Sequence, residues 1–353
     1  MGSSPSGAAG ARRETAVVAS LVGAIAIVAT AGALVVYKAS GALALIASVR
    51  RGGAVVAKQE WVPTAEMPAL VQPLAGALNY FLWVGIALAF GILIGATVKA
   101  LVPSRWIVRT LGTGGLRGQL LAAATGVPLM LCSCCAAPVF EGVYGRTRRL
   151  GPSLGLMLAA PGLNPAAIAL TFLLFPARLA AGRLAVALVL TLFAAAVLGR
   201  AFTAAPQVAA CAVDLESPGW RSLARSFAGA LRDVSIRSLP AIGLGVLASV
   251  VLLDAMPVQF WTATPGGSAA IIMVVGALGV LIALPTFAEI PIGLSLLAAG
   301  VPEGAVLALL IAGPIVNLPS LFTVGKVVSW RAAAATAASV FVASTGAGLL
   351  LGG

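Results

Sequence analysis

Long apolar runs recur along almost the whole of this 353-residue chain. A helix needs about 20 apolar residues to cross about 30 Å of hydrocarbon, and the longer runs approach that length. The runs cover residues 15–37, 78–101, 120–140, 154–175, 184–202, 236–253, 269–284, 290–299, 305–324 and 332–351. Only 9% of the residues are charged, against about 25% in soluble domains. The sequence therefore predicts an all-α polytopic membrane protein whose exterior contacts the lipid bilayer.

The absence of His and of a nucleotide-binding motif limits the kinds of site chemistry that this chain can support. The chain has no His, which removes the commonest proton shuttle and the commonest zinc or haem ligand. Its net charge is +12, but basic residues of membrane proteins collect in cytoplasmic loops, so we expect no nucleic-acid partner. No phosphate-binding Gly-x-x-x-x-Gly-Lys-Ser/Thr motif occurs. We expect no cofactor and no enzyme, and Cys and carboxylates are the candidates for site chemistry.

The second half of the chain repeats a pattern of the first half at a constant offset in residue number. The matches fall inside apolar segments, where Pro and Asn are costly, and they need no gap. The most informative pairs are Pro138 with Pro291, Pro161 with Pro314, and Asn164 with Asn317. Such a repeat is typical of transporters built from two structural repeats.

Basic loops indicate how the two repeats are oriented. The loop after Pro103 is rich in Arg, whereas its counterpart after Pro257 has no Lys or Arg, which places equivalent loops on opposite faces of the membrane. The loop 141–153 is also basic, so segment 120–140 is predicted to enter and leave on one side. We predict a re-entrant hairpin there and another near 283–291, both facing inward. The sequence thus favours two inverted repeats with broken or re-entrant helices that meet at mid-membrane.

These features give a provisional division of the chain. Arg12 and Arg13 precede the first apolar run and predict a cytoplasmic N-terminus. The sequence leaves a homo-oligomer open. The predicted parts are a cytoplasmic tail (1–14), an N-terminal transmembrane anchor and loop (15–75), repeat 1 (76–202), a polar linker (203–233) and repeat 2 (234–353).

Three of the four cysteines lie within four residues, at Cys132, Cys134 and Cys135. Thiolates are soft donors that prefer Cu(I), Zn or soft trivalent metalloids to hard cations. Clustered beside a Pro that breaks the helix, these thiols could offer two or three sulfurs to one soft metal or metalloid ion. The alternative is that they are small packing residues, which is the interpretation we give to Cys211.

Two matching Pro–Asn motifs predict breaks at mid-membrane. Pro161 and Asn164 lie in Ala-Pro-Gly-Leu-Asn-Pro, and Pro314 and Asn317 lie in Gly-Pro-Ile-Val-Asn-Leu-Pro. Pro removes a backbone donor and clashes with the preceding turn, so these segments should unwind and free backbone groups for a substrate. The alternative is a kink held by the Asn amide.

Glu289 lies in an otherwise apolar stretch, opposite the cysteine run in the repeat. An intramembrane carboxylate is a candidate proton carrier or cation ligand, and we predict that Glu289 couples transport to protons. The alternative is a helix cap. We interpret Glu141, beside the basic loop, as an ordinary interfacial residue.

The motifs Leu-Cys-Ser-Cys-Cys-Ala-Ala-Pro-Val-Phe, Ala-Ala-Pro-Gly-Leu-Asn-Pro, Leu-Pro-Thr-Phe-Ala-Glu-Ile-Pro and Ala-Gly-Pro-Ile-Val-Asn-Leu-Pro-Ser resemble the predicted-permease family that includes organoarsenical (methylarsenite) efflux permeases. The resemblance covers about residues 78–326. It implies a secondary efflux system of the bacterial inner membrane, with Cys132 and Cys134 matching the paired cysteines of the family and Asn164 and Asn317 its repeated asparagines. Cys135 stands where many members have Gly, which adds a third sulfur.

The resulting prediction is a permease that exports trivalent organoarsenicals or related thiophilic species, with protons as the coupling ion. Two alternatives stay open. The chain could carry a small sulfur compound or anion, in which case the cysteines are packing residues. It could instead be a membrane thiol redox protein, although its Cys-x-Cys-Cys spacing differs from the Cys-x-x-Cys of thioredoxin-like proteins.

Overall fold

The computed structural model describes residues 5–51, 61–64, 67–68, 71–101, 115–202, 220–254, 267–284 and 287–351. The regular elements in these ranges are all helical. The helices are α1 (Pro5–Arg50), α2 (Gln72–Ala100), α3 (Leu116–Gly126), α4 (Ser133–Thr147), α5 (Leu150–Gly162), α6 (Pro165–Leu174), α7 (Ala177–Ala201, with a π-helical turn at Leu190–Ala194), α8 (Trp220–Asp254), α9 (Gly267–Leu281), α10 (Glu289–Ala298), α11 (Glu303–Ile315), α12 (Leu318–Val327) and α13 (Trp330–Leu351).

Five of these helices are long and apolar enough to cross a membrane on their own. The spans are Leu21–Gly41, Gln72–Ala100, Ala177–Ala201, Leu223–Val251 and Trp330–Leu351. Two further pairs of helices, α5 with α6 and α11 with α12, pass the same test as bent spans, with bends of 42° and 45°. The protein is therefore a multi-pass, all-helical membrane protein, as the apolar runs predict.

The constant offset found in the sequence reappears in the helix boundaries. Both ends of α11 are displaced along the chain from the corresponding ends of α5 by the same offset that separates Pro161 from Pro314. The same holds for both ends of α6 and α12, and for the starts of α7 and α13. The two halves therefore share one local plan of a bent pair followed by a long helix. The opposite orientation of the halves stays a prediction.

Each bent pair breaks where the Pro–Asn motifs predict. Helix α5 ends at Gly162, just after Pro161, and α6 begins at Pro165 with Asn164 as its N-cap. Helix α11 ends at Ile315, just after Pro314, and α12 follows with Asn317 as its N-cap. Pro is favoured in the first turn of a helix because its missing N–H would have no partner there.

Glycines let the long helices approach the shorter ones closely. A Cβ on Gly91 of α2 would collide with the backbone carbonyl of Cys135 in α4, and a Cβ on Gly245 of α8 would collide with the backbone of Pro319 in α12. Gly91 and Gly245 are separated by one residue more than Pro161 and Pro314, so they are equivalent in the repeat if its offset is one residue larger in this region. Both glycines thus fix a long helix against the first turns of a short helix that begins at a break.

Several boundaries differ from the sequence prediction. Helix α1 continues to Arg50, into the segment we predicted to be a loop, because its alanines and leucines favour a helix. Helix α8 begins at Trp220, inside the predicted linker, which is therefore shorter than its composition suggests. Residues 203–219, which include Cys211, lie outside the described ranges.

The two predicted hairpins each contain a break. Between α3 and α4 a short 3-10 turn, Val127–Leu129, is followed by Met130 at φ 47° and extended backbone at Cys132. Between α9 and α10, Phe287 has φ 70°, and the preceding Pro285 and Thr286 lie outside the described residues. That the chain enters and leaves on one side of the membrane stays a prediction.

Candidate functional site

The three clustered cysteines converge at the start of α4. Cys132 is the N-cap of this helix, and Cys134 and Cys135 lie in its first turn. Their sulfur atoms all lie within 4.8 Å of one another. The distance between the sulfurs of Cys132 and Cys134 is 3.1 Å, and that between Cys134 and Cys135 is 3.8 Å. All three are free thiols in a buried setting, so the arrangement can offer several soft donors to one ion.

One side chain from outside the cysteine run contacts this cluster, and a second acts on it electrostatically. The phenol oxygen of Tyr80, on α2, lies 3.0 Å from the sulfur of Cys134. Lys38, on α1, interacts electrostatically with Cys132. The cluster therefore has a hydroxyl on one side and an ammonium group within electrostatic range, neither of which the motif analysis singled out.

The two Asn residues of the breaks act as helix caps. Asn164 Oδ1 accepts hydrogen bonds from the backbone nitrogens of Ala166 at 3.0 Å and Ala167 at 3.3 Å. Asn317 Oδ1 accepts from the backbone nitrogen of Ser320 at 3.2 Å, and Ser320 Oγ accepts in return from the Asn317 nitrogen at 3.0 Å. The Nδ2 atom of Asn317 is buried and has no hydrogen-bond partner among the described residues.

A small cavity lies where the broken segments of both halves meet. Its volume is about 20 Å³, which holds about one water molecule. Residues from both repeats line it, namely Leu131, Cys132, Pro161, Asn164, Ala167, Leu284, Phe287, Glu289 and Pro314. The cavity thus has a thiol and an amide on the side of the first repeat, and a carboxylate on the side of the second.

Glu289 forms a buried ion pair that the sequence did not reveal. Arg183 Nη2, from α7, donates to Glu289 Oε1 at 3.0 Å, and Arg183 Nη1 donates to Thr171 Oγ1 at 2.7 Å. The side chains of Arg183 and Glu289 are only 1% and 3% exposed. Arg183 Nε is buried with no hydrogen-bond partner among the described residues. A charge at such depth is costly unless paired, so this pair joins the two halves beside the cavity.

The structure brings together five of the eight predicted site residues around one cavity, namely Cys132, Pro161, Asn164, Glu289 and Pro314. Cys134 and Cys135 lie behind Cys132 and are fully buried, and Asn317 is fully buried away from the lining. Arg183 and Tyr80 are site residues that the sequence analysis missed. A single Arg or Tyr inside a long apolar run was the available signal.

Glu141 is not the ordinary interfacial residue that we predicted. It is only 5% exposed, and Ser238 Oγ of α8 donates to its Oε2 at 3.0 Å. Arg237 Nε lies 3.9 Å from its Oε1. Its position beside the basic loop suggested contact with water, whereas α8 packs over it and buries it.

The fold and the cavity between two broken helix pairs define a polytopic permease. Residues 74–353 match the family model described as predicted permease. The chain belongs to this predicted permease family, and the resemblance recognised in the sequence is confirmed. The match also extends the resemblance to the end of the chain.

Two curated relatives are consistent with this assignment. The chain is 34% identical to the UPF0718 protein YraQ of Escherichia coli (strain K12) over 281 residues, which are 78% of this chain and 79% of the relative. It is 26% identical over 85 residues to the UPF0718 protein MJ0584 of Methanocaldococcus jannaschii, covering 24% of this chain and 23% of that relative. No solved structure matches the chain significantly.

Proposed function

We propose that this permease exports trivalent organoarsenicals or related thiophilic metal(loid) species across the bacterial inner membrane, by proton antiport. The observation that carries the proposal is the convergence of three free thiols within 4.8 Å at a helix break, with Cys132 lining the cavity between the two halves. Soft donors at such a break suit a soft substrate and give no advantage to a hard cation.

The spacing of the sulfurs fits the chemistry of this substrate class. Trivalent arsenic that bears one carbon group has two exchangeable oxygen ligands. Each can be replaced by a thiol, which forms one As–S bond and releases one water molecule, with no change of oxidation state. Cys132 and Cys134, 3.1 Å apart, are the pair for this exchange, and Cys135 is a third donor for species with three open positions.

Asn164 and the two prolines have a supporting role in this proposal. Asn164 lines the cavity while its Oδ1 is engaged as a cap, so its Nδ2 amide is the group that orients the substrate. Pro161 and Pro314 line the same cavity and keep the backbone unwound there. Asn317 acts on the second break as a cap.

Coupling to protons is assigned to Glu289. In this conformation Arg183 stabilises the charged carboxylate, and Thr171 supports Arg183 from the other side. Protonation removes the charge that Arg183 pairs with, so proton uptake favours separation of the two side chains and hence of the two halves. Across the cavity, the facing titratable group is Cys132. In this proposal, proton binding to Glu289 and substrate release from Cys132 are coupled because both residues line the same cavity.

The test is resistance of a sensitive bacterial host to methylarsenite, arsenite, antimonite and mercuric ion. We expect the wild-type chain to protect against at least one of them, and Cys132→Ser/Cys134→Ser/Cys135→Ser to lose that protection at equal membrane abundance. Cys211→Ser is the matched control because it removes the fourth thiol outside the cluster, and it should protect like wild type.

Each other outcome has a definite meaning. Full protection by the triple variant would contradict thiol capture. Absence of protection by an abundant wild-type chain would contradict soft-metalloid export and favour a permease for a small sulfur compound or anion. Proton movement in everted vesicles on substrate addition should be lost in Glu289→Gln, and its persistence would remove Glu289 from the coupling.

A further inference from the structure

A second and larger cavity lies between α4, α8 and α12, away from the cysteines. Its volume is about 310 Å³, which is within the usual range of small-molecule sites. Seven residues line it, namely Glu141, Ile236, Arg237, Pro240, Thr323, Lys326 and Val327. It therefore combines three charged side chains with several apolar ones.

This cavity is connected to the central site by two of its own helices. Cys132 is the N-cap of α4 and Asn317 is the N-cap of α12, and the two helices pack against each other. Glu141 and Lys326 each follow their N-cap by nine residues, a rise of about 14 Å. The second cavity thus lies equally far from the central break along α4 and along α12. On α4 it lies toward the basic C-terminal end.

Some of the charged side chains around the cavity form ion pairs or hydrogen bonds within the protein, and others do so less fully. Asp233 is bonded by Lys99 and by Arg237 Nε, at 2.8 Å for the latter, and Glu141 accepts from Ser238. Both ion pairs of Arg237 are made through Nε, and its side chain is 64% exposed. Lys326 likewise forms no ion pair with any part of the chain that the structure describes.

Counting charges over this group gives a surplus. Lys99, Arg237 and Lys326 are cationic, and Glu141 and Asp233 are anionic, which leaves a net charge of +1. The donors that face this cavity outside the ion pairs above belong to a planar guanidinium group on α8 and an ammonium group on α12. A guanidinium edge binds two oxygens of one group, and Lys adds a point charge. An anion with at least two oxygens suits this pair of donors.

We propose that this cavity binds a small oxyanion group, held between Arg237 of α8 and Lys326 of α12. Glu141 and Asp233 are positioning residues that fix the Arg237 side chain through Nε and leave its Nη groups directed to the ligand. The group can belong to a soluble anion or to the headgroup of an acidic lipid. Bound there, it joins α8 to α12. This site goes beyond the metalloid export proposed above and needs none of the cysteines.

The experiment measures the apparent melting temperature of the purified full-length protein. Inorganic phosphate is added to protein in neutral detergent, at constant ionic strength kept with sodium chloride. In a second arm, the protein is placed in nanodiscs of phosphatidylglycerol or of phosphatidylcholine. Lys326→Gln removes one ligand group, and Arg331→Gln is the matched control because it removes one exposed positive charge that is not part of the cavity lining.

We expect a rise of about 2 °C or more on ligand binding in wild type and in Arg331→Gln, and its loss in Lys326→Gln. A rise with phosphate identifies a soluble anion, and a rise only in phosphatidylglycerol identifies a lipid headgroup. The proposal is overturned if neither arm stabilises the wild type, or if Lys326→Gln responds as fully as wild type. Metalloid resistance plays no part in this readout, so either proposal can fail alone.

Discussion

The two sides of the central cavity share a frame and differ in chemistry. At equivalent helix starts, the first half carries Cys134, Cys135 and Ala136, whereas the second carries Phe287, Ala288 and Glu289. The first side presents polarisable sulfur groups, and the second presents a carboxylate paired with Arg183. The position equivalent to Arg183 in the second half is Thr336, which has no charge. The comparison teaches that the repeat supplies the breaks, while divergence between the halves supplies the different side chains around the cavity.

The largest effect is expected at the buried ion pair. Arg183→Gln or Glu289→Gln alone leaves an uncompensated buried charge, which should lower stability by about 3–5 kcal/mol. Arg183→Met/Glu289→Gln removes both charges and should recover much of that loss. Apparent melting temperatures and yields of folded membrane protein measure this. If the double variant were as unstable as the single variants, the ion pair between Arg183 and Glu289 would not be what holds the two halves together.

The next effect concerns the equivalent glycines that hold the long helices against the breaks. Gly91→Ala and Gly245→Ala each place a methyl group against backbone, which cannot yield as a side chain can, so each should cost about 1–3 kcal/mol. Gly85→Ala and Gly243→Ala are controls on the same helices, since a Cβ there meets nothing within 4 Å. Equal melting temperatures for the test and control variants would argue against close helix contact.

The caps offer a finer test of the comparison. Asn164→Ala and Asn317→Ala each remove a cap worth about 1 kcal/mol, so their losses of stability should be similar. Only Asn164 lines the cavity, and we therefore expect transport to fall further in Asn164→Ala than in Asn317→Ala at equal membrane abundance. Initial rates of substrate uptake into everted vesicles give the comparison, and equal rates for the two variants would contradict a role in substrate binding that Asn164 has and Asn317 lacks.

The smallest effect is expected at the exposed counterpart of the buried ion pair. Arg178, also on α7, donates two hydrogen bonds to Glu303 Oε2, at 2.7 and 3.1 Å. Its side chain is 58% exposed, and such pairs contribute about 0–1 kcal/mol. The melting temperature of Arg178→Ala should therefore be close to that of wild type. The difference between the melting temperatures of Arg178→Ala and Arg183→Gln measures how much more a buried ion pair matters to stability than an exposed one. A loss as large as that of Arg183→Gln would contradict this view.

The fold could be predicted well where periodicity and proline decide the local structure. The long apolar runs predict the five single spans, and Pro161, Asn164, Pro314 and Asn317 predict both breaks. Those signals are local, since each depends on residues within one or two turns of the helix. The polar segment 203–233 was predicted to be a linker, but α8 already begins at Trp220. A polar segment can still be helical, and the amphipathic end of a helix resembles a polar linker in composition.

The candidate site could be predicted only in part, because its contacts are between distant segments. Glu289 was identified as an isolated intramembrane carboxylate, but its partner Arg183 precedes it by 106 residues. Tyr80 approaches Cys134 across 54 residues. Packing of α2 against α4, and the long side chain of Arg183 reaching Glu289 at the start of α10, create these pairs. No spacing rule within one helix encodes them.

The first helix has a consequence for the orientation of the whole molecule. The permease family match begins at residue 74, after α1, yet Leu34 of α1 is fully buried against the core that follows. One additional crossing ahead of α2 changes the parity of the chain, so a reporter fused before α1 and one inserted between α1 and α2 would face opposite compartments. Arg12 and Arg13 lie ahead of the first apolar run and predict that the first of these reporters faces the cytoplasm. The orientation that we expect for the cavity therefore depends on charges that lie outside the residues matched by the family model.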